Sequence, residues 1–239
     1  MATYDLALYP ASGPGLGHLM RCMALAEWAV ELKAKVVVCI SLDPYVALSW
    51  PCPVSVGQPA DATVSIGDGS VHPAAKWHVI DAALKAPHYE ADGYIYPHFG
   101  AVPQLGSPTF VGPQWMPLRK RFSQGDLHSE RSGDCVSYRA SRAGYRELRG
   151  MSEAATFYAL SIAPHALLPA SVIAYEALTL GCPVRLLDGI TPACDEIGVA
   201  MAQAGVAVWD TLAGEKTLPP GPPEGLDGLG AKRLLEALL

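Results

Sequence analysis

The residues best suited to chemistry lie in one short stretch, Gly13-Pro14-Gly15-Leu16-Gly17-His18. Glycines between a strand and a helix let backbone N–H groups approach an anion, and the start of the helix adds partial positive charge. That geometry suits a diphosphate. A dinucleotide-binding turn would read G-x-G-x-x-G; Gly13 and Gly15 fit it, but His18 takes the third position. A P-loop would need Gly-Lys-Ser/Thr, which this loop lacks. What it offers instead is an imidazole at a helix start, beside the phosphate site. The helix dipole disfavours the imidazolium, and a neutral imidazole is what a general base needs. On spacing alone, a surface or capping histidine in an ordinary glycine turn explains the same residues.

Other candidates surround this loop. Arg21 lies one helical turn past His18, facing the same cleft or held in a structural salt bridge. Asp81 ends an apolar run, where open sheets place their ligand sites; it could orient His18, bind substrate or cap a helix. His72, His78, His88 and His98 are scattered without metal-ligand spacing and read as solvent-facing. The six cysteines form no C-x-x-C pair, and Cys22, Cys39 and Cys182 read as buried reduced thiols. Residues 119–149 hold eight of the 17 Lys and Arg, with Asp126, Glu130, Asp134 and Glu147 among them. Such a segment is either a solvated face or a patch for donor phosphates or a polyanionic acceptor such as DNA, with Tyr138 and Tyr145 placed to stack on bases.

The elements that must hold these residues alternate. Tyr4–Tyr9 reads as a strand, 10–17 as a loop, and His18–Leu32 as a helix with Leu19, Met23, Ala26 and Val30 at helical spacing. Lys35–Ser41 is β-branched and nearly all apolar, as in a strand covered on both faces. Residues 51–75, rich in Pro, Gly, Ser and Ala, give no clear element. Trp77–Asp81, Asp92–Tyr96 and Thr109–Val111 read as short strands. A lobe boundary is expected near 123–133, where Ser, Gly and charges cluster. Beyond it the pattern predicts a strand at Cys135–Arg139, a helix at 142–155, a strand at Phe157–Ala163, a helix at Ser171–Leu180, a strand at Pro183–Leu187, a helix at 192–204 and a strand at Val206–Trp209. A Pro/Gly spacer at 219–223 leads to a last helix, Leu229–Leu239. Strand–helix alternation signals parallel sheets.

Composition bounds the function. Half of the 239 residues are hydrophobic and 17% are charged, which favours a folded core over disorder. The net charge of -6 argues against a whole-surface nucleic-acid binder. The N-terminus lacks a signal-peptide pattern and no run approaches a membrane span, so a cytoplasmic protein is expected.

Gly15-Leu16-Gly17-His18-Leu19-Met20-Arg21-Cys22-Met23-Ala24-Leu25-Ala26 resembles the G-x-G-H-x-x-R-C-x-x-L-A signature of the UDP-sugar hydrolase of the pseudaminic acid pathway. That family is related to the peptidoglycan N-acetylglucosaminyltransferase. Val79-Ile80-Asp81 is similar to its V-x-D strand. Residues 112–122, from Gly112-Pro113 to Leu118-Arg119-Lys120-Arg121-Phe122, resemble its lobe-junction segment. Tyr175-Glu176-Ala177-Leu178-Thr179-Leu180-Gly181-Cys182-Pro183 resembles its W-E-A-L-x-L-G-x-P stretch. The chain departs from the family where a Gly-Gly-Ser/Thr turn becomes Leu168-Pro169-Ala170-Ser171, where Asn-Gln becomes Cys194-Asp195, and where a glycine-rich loop becomes Ala140-Ser141-Arg142.

The resemblance implies an α/β fold of GT-B type: two facing Rossmann-like lobes with parallel sheets, the second trimmed. The expected division is 1–122 as the acceptor and catalytic lobe and 123–239 as the nucleotide-sugar lobe. It implies a metal-independent glycosyltransferase without a cofactor, taking a UDP-linked sugar as co-substrate, with His18 as base and Asp81 beside it. Gly15, Gly17, Arg21, Arg119, Ser171, Glu176 and Asp195 would bind substrate or nucleotide, Glu176 through the ribose hydroxyls. A hydrolase using water, and a nucleotide- or DNA-binding module of the same fold, are the alternatives.

Overall fold

Val36-Val37-Val38-Cys39-Ile40 is buried along its whole length, as expected of a parallel strand with helices or loops over both faces. It belongs to the first of two sheets. In chain order the strands of that sheet are β1 (Tyr4–Pro10), β2 (Val36–Ile40), β3 (Val54–Val56), β4 (Ala62–Asp68), β5 (Trp77–Val79), β6 (Gly93–Tyr96) and β7 (Thr109–Val111). They align in the order β3-β2-β1-β4-β5-β6-β7, every pair parallel. The computed structural model describes residues 3–11, 17–41, 48–68, 72–79, 91–101, 109–124, 131–138, 143–210 and 221–239.

The period-two alternation of a strand sorts β1 cleanly. Leu6 and Leu8 point to one face, where they meet Val36, Val38, Val64 and Ile66 under helix α1 (Gly17–Glu31) and helix α5 (Gly230–Leu238). Ala7 and Tyr9 point to the other, with Val37, Cys39 and Ala75. Helix α1 buries Leu19, Cys22, Leu25, Ala26 and Ala29 along one stripe, at the spacing of a helix laid on a sheet. From β1 the chain runs through α1 to β2 on one side, and later returns to place β4 on β1's other side. This reversal makes a switch point at the C-terminal ends of β1 and β4, where open α/β sheets form a ligand crevice.

The second sheet contains β8 (Cys135–Ser137), β9 (Tyr145–Glu147), β10 (Ala166–Pro169), β11 (Val184–Leu187) and β12 (Ala207–Trp209). Their order is β12-β11-β10-β8-β9, again all parallel. Helices α2 (Glu153–Ile162), α3 (Val172–Thr179) and α4 (Pro192–Gln203) connect them. The chain divides into two compact units, residues 1–120 with 229–239, and residues 121–228. The final helix thus joins the first unit, whereas the sequence reading runs the second lobe to residue 239.

Two expectations in the second unit are corrected. Residues 142–155 were expected to be helical and 157–163 extended; instead β9 occupies 145–147 and the helix runs over 153–162. The start signal is local. Ser152 accepts a hydrogen bond from Ala155 N at 3.3 Å and Glu153 stands in the first turn, an arrangement that satisfies exposed amides and favours the dipole. Thr156, Ala159 and Leu160 then turn inward at helical spacing, and Pro164 keeps the helix from continuing. In the first unit, the stretch that gave no clear element supplies β3 and β4.

Helix α5 is seated by a glycine. A Cβ on Gly230 would overlap the backbone of Met116, while Arg233 Nη1 donates to Gln114 O at 3.0 Å. Gly230→Ala must push the helix off the 113–116 turn, an overpacking worth about 1–3 kcal/mol. Urea unfolding should show a correspondingly lower midpoint for the variant; an unchanged midpoint contradicts this close approach.

Candidate active site

Three side chains from two neighbouring elements meet at the switch point. His18 and Arg21 come from the first turn of α1, one helical turn apart, so they share a face. Asp68 is the last residue of β4 and stands opposite Pro10, the last residue of β1. Its carbonyl accepts a hydrogen bond from Ala11 N at 2.8 Å, which ties the end of β4 to the start of the loop before α1.

The Asp68 side chain is fully buried and Arg21 nearly so, while His18 keeps 18% of its side chain exposed. Arg21 grips the carboxylate with two donors, Nε to Oδ2 at 2.8 Å and Nη2 to Oδ1 at 2.5 Å. This side-on pairing is the strong form of the interaction. His18 Nδ1 lies 3.0 Å from Asp68 Oδ1 and 2.9 Å from Arg21 Nη2. Burial first, and then the Asp68 charge, push the nearby Cys22 thiol well above its usual range, with Arg21 opposing.

A cavity of about 300 Å³ opens beside this cluster, at the C-terminal ends of β1 and β2. Pro10 and Ala11, the residues next to Asp68, form part of its wall, with Cys39, Ser41, Gln58 and His72 among the rest. His72 stacks on Tyr9 with ring centroids 4.1 Å apart. Burial holds the His72 imidazole below its usual pKa, so it is neutral near pH 7 and the named wall residues carry no charge.

The sequence-predicted residues fall into groups. His18 and Arg21 come together around Asp68, and Gly17 opens the same helix. Gly15 and Asp81 lie outside the described residues. Arg119 is buried in the first unit; its neighbour Lys120 is held by Glu27 and Glu31 of α1, roughly 13 and 20 Å along the helix from His18 at 1.5 Å per residue. In the second unit, Ser171 is the N-cap residue of α3 just after β10, and Asp195 in the first turn of α4 accepts from Gly189 N at 3.1 Å after β11. Both stand at the C-terminal edge of their sheet. Glu176 is buried within α3 rather than exposed.

Asp68 is the functional candidate that the sequence reading missed. Its signal is visible in retrospect: Val64-Ser65-Ile66-Gly67-Asp68 is an alternating strand ending in an acid, the same pattern that drew attention to Asp81.

One further expectation changes. His78 and His98 are buried rather than solvent-facing, and burial lowers the His78 pKa. Of the basic run, Arg139 and Arg142 lie outside the described residues, and Arg121, Arg146 and Arg149 are exposed. Arg119 is buried, Arg121 lies over the Phe157 ring and near Glu153, and Arg131 caps the carbonyls of Leu160, Ala163 and Leu180. Tyr145 pairs with His165. Among the described residues no group of three His, Cys, Asp or Glu is placed to hold a metal ion, and no helix is long and apolar enough to cross a membrane.

Comparison with known proteins places the fold. It is the two-sheet α/β fold of the GT-B type. LpCGTa, solved in complex with UDP, superposes with a TM-score of 0.55 at 11% identity, covering 98% of this chain and 94% of that one. The spinosyn rhamnosyltransferase SpnG gives a TM-score of 0.50 at 10% identity, covering 98% of this chain and 91% of that one. No known protein-family model matches the sequence, and no curated protein matches it.

The buried ion pair makes a stability prediction. Asp68→Ala leaves the Arg21 guanidinium buried without its carboxylate and should cost about 3–5 kcal/mol. Breaking the exposed Lys120–Glu31 pair should leave the midpoint nearly unchanged, since solvent screens it. Adding Arg21→Met to Asp68→Ala should recover much of the first loss. Urea titration of all four proteins checks the ordering.

Proposed function

We propose that this protein is a glycosyltransferase that takes a nucleotide-activated sugar, with His18 as the general base. One observation carries the reading: the imidazole is held by a buried carboxylate at the switch point of a GT-B-type sheet. A neutral imidazole has one N–H. Nδ1 lies between an acceptor, Asp68 Oδ1 at 3.0 Å, and a donor, Arg21 Nη2 at 2.9 Å; Nη2 already donates to Oδ1, so in this reading the imidazole proton sits on Nδ1 toward Asp68 and the lone pair on Nε2. This is how an acid orients a catalytic histidine without itself taking the proton.

The chemistry follows from that orientation. Nε2 takes the proton of an acceptor hydroxyl as its oxygen attacks the anomeric carbon, and the nucleoside diphosphate departs with the bonding electrons. The start of α1, with Gly17 and no acid in its first turn, gives partial positive charge for the departing diphosphate. The cavity beside Asp68 is the place for a small neutral acceptor. Ser171 and Asp195 stand at strand ends of the second sheet, where such sheets bind ligands, and with Glu176 of the same unit they are the proposed nucleotide contacts. One of the similar structures holds UDP, which supports a UDP-linked donor as the first to test; the other is a rhamnosyltransferase. No metal or cofactor enters this scheme, and the likeness to the pseudaminic acid pathway hydrolase makes water the alternative acceptor.

His18→Ala should lower turnover of a UDP-sugar by about 10²–10⁴-fold, the usual contribution of a positioned base, while calorimetry shows UDP still binding. Turnover equal to the wild type would refute the assignment. Incubating donor with enzyme alone separates the two acceptors: steady release of free sugar favours hydrolysis, and release only upon adding a hydroxylated acceptor favours transfer.

A further inference from the structure

The opposite edge of the second sheet carries a second cluster of reactive groups. Cys135 opens β8, Tyr145 opens β9, and His165 immediately precedes β10; these three strands are neighbours. The parallel register sets Cys135 opposite Tyr145 and Val136 opposite Ala166, which brings Cys135 and His165 to the same level. Backbone bonds hold that level: Val136 N donates to His165 O at 3.3 Å, and Gly133 N to Ile162 O at 3.0 Å. Gly133 is needed there, because a Cβ would run into the Ile162 side chain.

The three side chains form a line. Cys135 Sγ lies 3.5 Å from His165 Nδ1, and the Tyr145 hydroxyl lies 2.6 Å from Nε2 on the other side of the ring. The Tyr145 and His165 rings meet edge-on at 74°. Cys135 is only half-buried. A thiol, a base within hydrogen-bond reach and a third group that orients the base are the parts of an activated nucleophile. When the imidazole takes the thiol proton, Nδ1–H faces the sulfur and Nε2–H faces the tyrosine oxygen, so both N–H groups of the imidazolium are bonded.

We propose that Cys135 is a reactive thiol with His165 as its base and Tyr145 as the residue positioning that base, and that the site takes low-molecular-weight disulfides. The step is an exchange. Cys135 sulfur attacks one sulfur of R–S–S–R, the reagent's S–S bond breaks, a new bond joins Cys135 to one RS group, and the other departs as RSH with the proton that left Cys135 through His165. Neither donor sugar nor His18 takes part.

The other cysteines frame the test. Burial pushes the thiols of Cys22 and Cys39 up, that of Cys52 to about 11 and that of Cys182 to about 12, so all four are poor nucleophiles. Cys194, half-buried in the first turn of α4, serves as an internal reference. The full chain is treated with oxidised glutathione, and in parallel with iodoacetamide, and the rate at each cysteine is read by peptide mass spectrometry. Cys135 should react faster than Cys52. His165→Asn should slow Cys135 by about 100-fold with the Cys194 rate unchanged. Tyr145→Phe should slow it by roughly twofold to tenfold, the value of one hydrogen bond, and move the pH midpoint of its rate upward. If His165→Asn does not fold, the wild type and Tyr145→Phe decide the matter. Cys135 reacting no faster than Cys52, or at a rate indifferent to both substitutions, overturns the proposal.

Discussion

A carboxylate stripped of water must be compensated by charge and hydrogen bonds, because the bare desolvation cost is several kcal/mol. Asp68 is fully buried, so the residues around it are constrained together. Arg21 must stand where both of its donors reach the carboxylate, which sets the rotation of α1 about its axis. One turn earlier on the same face, that rotation puts His18 against Oδ1. The strand order serves the same end: with β4 beside β1, the acid at the end of one strand faces the helix that follows the other. The ion pair and the imidazole orientation are therefore consequences of one buried charge.

This explains which parts of the site were legible in the sequence. His18 and Arg21 are close in sequence, and helical spacing alone predicts a shared face. Asp68 is 47 positions beyond Arg21, and only strand order brings it near, which no local pattern encodes. Asp68 carries the same strand-then-acid signature as Asp81; picking it out requires knowing which strand adjoins β1. The parallel α/β class was legible because β1, α1 and β2 repeat the buried-strand and striped-helix periodicities without a break. The stretch before β4 was not, since β3 is three residues long and half exposed, too short and too wet for alternation to stand out.

The second unit shows the other way periodicity misleads. Phe157-Tyr158-Ala159-Leu160-Ser161-Ile162-Ala163 is a short apolar run, and such runs suit a strand or a buried helix equally. The decision comes from outside the run, from the Ser152 cap and from Pro164. Likewise, α5 follows a Pro-rich spacer and reads as the tail of the second unit, but its apolar stripe of Ala231, Leu234 and Leu235 is buried in the core of the first. An amphipathic helix goes where a complementary surface is unfilled, whatever its place in the chain.

Arg21 was read from sequence as either a cleft-facing residue or a structural ion pair, and the geometry dissolves that choice. Its guanidinium is nearly buried and bound to Asp68, which is structural; it also approaches His18 Nδ1 to 2.9 Å, which is local to the chemistry. Arginine and aspartate together carry no net charge, so the histidine is oriented by a carboxylate whose far field is largely cancelled. A lone carboxylate there would orient the ring equally well but would also repel the anionic leaving group expected at the start of α1. Pairing the acid with arginine separates these effects: the short-range hydrogen bond to Nδ1 survives, while the long-range repulsion of a diphosphate does not. Lysine could supply the charge but not the two-donor grip that fixes the carboxylate plane, and it is that plane which aims Oδ1 at the imidazole.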